Sequence, residues 1–96
     1  MNKFYSRSPD VLWRNVGSSV LLRPLDRTDL MILDGSATLL WKLLARPITF
    51  EDLVSRMIEH YGVDSALVSG PVAQALSDLE RVDLVRMDDA YSAGPP

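Results

Sequence analysis

The sequence predicts an α+β domain in which a three-stranded antiparallel sheet comes first and three helices follow. Two observations carry this. Residues 11–33 hold three short β-prone runs, and the turn signals between them are too short for anything but antiparallel neighbours. From Ser36 onward the apolar residues switch to helical spacing, in segments punctuated by Pro47 and Gly62. The chain has 96 residues, 47% hydrophobic and 24% charged, a balance that suits one domain with a modest core.

Residues 1–9 are polar and end near Pro9, which reads as a loose N-terminal arm. The first strand is Val11–Val16 (VLWRNV). Gly17-Ser18 is a tight-turn signal, and Ser19–Arg23 (SVLLR) is the second strand, closed by Pro24, which cannot donate to a ladder. Asp26-Arg27-Thr28 is turn-like. Asp29–Leu33 (DLMIL) is then the third strand, at the edge of the meander.

The first helix begins at Ser36, with Ala37, Leu40, Trp41 and Leu44 on one stripe. Asp34 or Ser36 can cap it, and Arg46-Pro47 ends it. Thr49 is suited to cap a second helix whose first turn carries Glu51 and Asp52. Its stripe is Phe50, Leu53, Val54, Met57, Ile58 and Tyr61, with Gly62 just past the end. Asp64 can cap a third helix with the stripe Val68, Val72, Ala75, Leu76, Leu79 and Val82. Gly70-Pro71 interrupts it, so that helix either kinks there or starts at Pro71. Leu84–Met87 reads as a last short strand, and residues 88–96 as a disordered tail. The domain proper is 10–87. A small sheet beside three compact helices is the order of a winged helix-turn-helix.

Little in this sequence suggests catalysis. There is no cysteine and a single histidine, His60, too few soft ligands for a metal centre. No glycine-rich phosphate loop and no recognisable nucleophile-base pattern is present. The expectation is a protein that is not an enzyme and uses no cofactor. No signal-peptide core or membrane-length apolar run occurs, and a cysteine-free chain fits the cytoplasm.

Net charge is −3, unevenly placed. Residues 1–33 carry a net +2 and residues 34–96 a net −5. A DNA reader needs cations along its recognition helix, whereas the third helix region sets Asp64, Asp78 and Glu80 against Arg81. A winged-helix transcription regulator is therefore the alternative reading, not the leading one, and no nucleic-acid or membrane partner is expected. Trp41 belongs to the core stripe of its helix, and Trp13 covers a sheet face.

Recognition through the backbone remains. The third strand is an edge, and an edge offers unpaired N–H and C=O groups. With the third helix beside it as an apolar wall, it forms a groove into which an extended peptide can add as a strand. The competing possibilities are an edge covered by the chain's own termini or by a second copy. Both monomer and homodimer stay open.

The segments LDGSATLLWKLL (33–44), ITFEDLVSRMIEHYGVD (48–64) and ALSDLERVDLV (75–85) resemble the PqqD family, over roughly residues 8–87. The resemblance implies a peptide chaperone, the recognition element for ribosomally made and post-translationally modified peptides. Such a protein binds the leader of a precursor peptide and delivers it to a modifying enzyme. In pyrroloquinoline quinone (PQQ) biosynthesis and similar pathways that enzyme is a radical-SAM protein, and in lasso-peptide pathways it is a leader peptidase. It further implies that the leader lies between the third strand and the third helix. On this chain those positions are Asp29, Leu30, Met31, Ile32 and Leu33 on the strand, and Leu67, Val68, Pro71, Val72, Ala75 and Leu79 on the helix. Arg27, with Arg23, would steer acidic leader residues.

Overall fold

The computed structural model describes residues 3–88. Its elements are β1 (Phe4–Arg7), β2 (Val11–Val16), β3 (Ser19–Pro24), β4 (Met31–Leu33), α1 (Ser36–Leu43), β5 (Ile48–Thr49), α2 (Phe50–Tyr61), α3 (Ser65–Arg81) and β6 (Val85–Asp88). Two antiparallel three-stranded sheets result, ordered β2-β3-β4 and β5-β1-β6.

The first sheet is the expected meander. β2 and β3 pair from Val11↔Pro24 to Val16↔Ser19 around the two-residue loop Gly17-Ser18. Gly17 there takes φ 62°, a conformation that costs a residue without Cβ nothing. The third strand is shorter than expected. Only Met31–Leu33 pairs with β3, and Asp29 and Leu30 lie ahead of it. A three-residue edge is itself a guard against unwanted pairing.

The loose arm is corrected over Phe4–Arg7. This segment is the centre of the second sheet, bonded to β5 on one side and to β6 on the other. Its partners lie more than forty residues away in sequence, so no local pattern announces it. Arg7 fixes it further. The guanidinium stacks 4.6 Å from the Trp13 ring centroid and 4.8 Å from that of Trp41. Its Nε–H donates to the Trp41 carbonyl at 2.8 Å, and the Arg7 backbone N–H donates to Leu44 O at 3.0 Å. Partial burial lowers the Arg7 pKa from its ordinary value. Trp13 and Trp41 meet edge to face, 6.1 Å apart, and Trp41 is wholly buried.

The helices follow the sequence closely. Thr49 caps α2, its hydroxyl accepting from the Asp52 N–H, and Gly62 closes α2 in the left-handed region. α1 differs at its start. Gly35 occupies the N-cap position without a side-chain cap bond, because Asp34 instead accepts a hydrogen bond from Ser19 Oγ on β3. α3 runs unbroken from Ser65 to Arg81 with Pro71 inside it, so it does not start at Pro71. Pro71 is exposed, and Ser69 Oγ donates to Ser65 O one turn earlier. Asp64 sits at its N-cap position but makes no side-chain cap bond.

One face of the meander (Val20, Leu22 and Leu33), the inner stripes of all three helices, and Leu84-Val85 close a single core. The last expected strand is present as β6, one residue later than expected, and includes Asp88. The remainder of the expected tail lies outside the described residues.

Candidate functional site

α3 presents Leu67, Val68, Pro71, Val72 and Ala75 along one face, which forms the wall of a groove of about 420 Å³. Leu40 of α1 and Met57 of α2 lie at its floor, both buried. Ser36 and Ala37 enter from the start of α1, and Tyr61 and Val63 from the α2–α3 turn. No charged side chain lines it. Such a surface holds apolar side chains and penalises an unpaired charge.

β4 reaches this groove from one end. Ser36 and Ala37 follow β4 directly through the Asp34-Gly35 turn and line the same groove as Val68 and Val72. The start of the β3–β4 connection is tied to the other end of α3. Arg27 Nη2 donates to Asp83 Oδ2 at 3.0 Å, just past the helix. The connection is braced again by Arg23, whose Nη1–H donates to Arg27 O at 2.7 Å. The segment from Arg27 to Ala37 thus meets Asp83 beyond the C-terminus of α3 at one end and shares the groove lining with the first half of α3, a helix of about 25 Å, at the other.

The expected site residues therefore fall into distinct places. Leu67, Val68, Pro71, Val72 and Ala75 come together on the wall. Leu67 is 68% exposed, whereas Leu79 is 5% exposed and belongs to the core below. On β4, Leu33 is buried, Met31 is half-buried against the core, and Ile32 is exposed on the outer face. Asp29 and Leu30 are exposed ahead of the strand, and Arg27 is engaged by Asp83. None of residues 29–33 lines the groove itself. Sequence reasoning missed Ser36, Ala37, Leu40, Met57, Tyr61 and Val63. Ala37, Leu40, Met57 and Tyr61 read only as core stripe, and Val63 reaches the groove because the Gly62 turn leads the chain back into α3.

His60 packs edge to face on Tyr61 at 4.7 Å and is in none of the side-chain hydrogen bonds or ion pairs among the described residues. Among the described residues no three His, Cys, Asp or Glu side chains converge on a possible metal site, and no helix is long and apolar enough to cross a membrane.

The fold and site thus describe a small α+β binding domain whose main feature is an uncharged groove beside a sheet edge. Residues 19–85 match the family described as coenzyme PQQ synthesis protein D (PqqD), and the chain belongs to that family. The family is one of non-catalytic, peptide-binding accessory proteins of PQQ and related peptide-modification pathways. No curated protein and no solved structure matches the chain significantly. The match begins at β3, so β1 and β2 lie outside it.

Proposed function

We propose that this chain is an adaptor that binds the leader of a ribosomally made precursor peptide and hands it to a modifying enzyme, a radical-SAM protein or a leader peptidase. The leader adds as a strand along the β4 edge, and its inward side chains enter the groove against α3. The observation that carries this reading is the uncharged groove on α3 with β4 leading into it and the β3–β4 connection tied to the far end of the helix. Backbone pairing supplies affinity that depends little on sequence, and the groove selects apolar side chains at alternate positions. No catalytic residue is required, since holding the precursor at the enzyme raises its effective concentration. On this reading the arrangement is a winged helix-turn-helix whose third helix is a wall rather than a DNA reader. Its Arg81 is already engaged with Asp78 at 3.1 Å. The work is done in the cytoplasm.

The test is an NMR titration of labelled protein with the leader segment of the short peptide encoded beside its gene. Shifts should cluster at residues 29–37, Leu67, Pro71 and Ala75. Shifts confined to other surfaces, or seen only with duplex DNA, would remove the proposal.

A further inference from the structure

The meander has a second face that the core does not use. In the β2–β3 and β3–β4 registers Arg14 pairs with Leu21 and Leu21 with Ile32, which puts the three in one row across the sheet. Leu12 pairs with Arg23 in the next row. Leu22 lies on the opposite, buried face, so these residues point away from the core. Leu12, Leu30 and Ile32 are 50%, 63% and 63% exposed, and Leu12, Leu21 and Leu30 border one shallow depression with Arg14 and Arg23. A cluster of exposed apolar side chains rimmed by polar groups is the form a docking surface takes.

The charge on this face is mainly basic, and the carboxylate at its Ser19 end, Asp34, is engaged by Ser19 Oγ. The three strands carry Arg14 and Arg23 and no acidic residue. Arg14 makes no ion pair or side-chain hydrogen bond among the described residues, and Arg23 uses one donor on Arg27 O. A second copy is a poor occupant. A two-fold contact sets a face against itself and would bring these arginines towards one another. The complement is an apolar surface rimmed with carboxylates on a different protein.

We infer that this outer face of β2-β3-β4 is the surface on which the peptide-modifying enzyme docks, through an apolar patch with acidic residues at its rim. The inference rests on the adaptor reading for the identity of the partner. An added peptide strand continues the sheet beyond β4, and its alternate side chains lie beside Ile32 on this same face. An enzyme docked there sits directly against the peptide it modifies, while the groove on the other side holds the anchors. Adaptor and peptide then form one continuous surface, and delivery needs no transfer step.

The experiment uses the full chain, the precursor peptide encoded beside it, and the modifying enzyme of the same gene cluster. Leu12→Ser and Arg14→Glu both lie on β2, two strands from the peptide edge. Each should weaken adaptor–enzyme affinity at least tenfold, measured without peptide, and leave peptide affinity within twofold. The wild-type enzyme affinity should fall with rising salt, and that of Arg14→Glu should not. Unchanged enzyme binding in both variants overturns the docking surface. A wild-type dimer that Arg14→Glu dissociates, with enzyme binding intact, reassigns the face to a second copy and also overturns it. Failure of the wild type to bind the peptide, with the variants still losing the enzyme, refutes strand addition alone and leaves the docking surface standing.

Discussion

Leu67 offers a clean measurement of what the groove contributes. Full burial of a leucine side chain stabilises by about 1.5–3 kcal/mol. In the free protein Leu67 is already about one-third covered, being 68% exposed. A peptide that covers the remainder can therefore draw about 1–2 kcal/mol from this side chain. Leu67→Ala should weaken leader binding roughly five- to thirtyfold, since each 1.4 kcal/mol is a factor of ten. Folding should barely change, because alanine is the better helix former and little packing is lost. Leu79 provides the contrast at 5% exposure. Leu79→Ala leaves a cavity in the core and should cost about 2–5 kcal/mol of stability, so any effect on binding cannot be separated from unfolding. The assay is isothermal titration calorimetry on both variants, with thermal melts in parallel. A Leu67→Ala protein that binds the leader within twofold of wild type would refute the groove as the seat of recognition.

Three further outcomes test the architecture. Arg7→Ala removes two cation–π contacts and a charge-assisted hydrogen bond, together about 2–3 kcal/mol, which should lower the melting temperature by roughly 8–24 °C; a change under about 2 °C would show that the Trp13–Arg7–Trp41 stack does not hold β1. Pro71→Ala restores an N–H inside α3 and should stabilise by about 1–2 kcal/mol, net of the unfolded-state entropy it returns; a chemical-denaturation midpoint that moves down would mean the helix needs its proline. The Tyr5 phenol is pushed above its ordinary 10.0, by burial first and then by the Glu80 and Glu51 carboxylates. The folded state thus keeps this proton longer than the unfolded one, so its stabilisation is full below about pH 10 and is lost as pH rises through the folded value. Tyr5→Phe should remove that alkaline loss, and urea curves of the two proteins that weaken in parallel above pH 10 would contradict it.

How far the site could be read in advance differs from element to element. Val68, Val72 and Ala75 lie on the apolar stripe of α3, Leu67 and Pro71 come from the family resemblance, and these five of the six expected helix positions line the groove. Leu79 lies on the same helix but farther along, where β6 packs against α3 and the groove has ended. A stripe marks which side of a helix is apolar and says nothing about where along its length a neighbour covers it. The β4 edge was legible for a similar reason, since short turns dictate antiparallel order. Its true length was not, because Asp29 and Leu30 fall outside the ladder with β3.

By itself, the amino-acid order determined the meander, the three helices and their caps at Thr49 and Gly62, because each depends on residues within a few positions of one another. It also determined the bias of charge, basic ahead of residue 34 and acidic after it. Only the tertiary structure decided that Phe4–Arg7 is a central strand, that Arg7 lies between two tryptophans, and that Ser36, Ala37, Tyr61 and Val63 complete the groove. Those features join segments distant in sequence, and their stabilisation exists only once the chain has closed the loops between them.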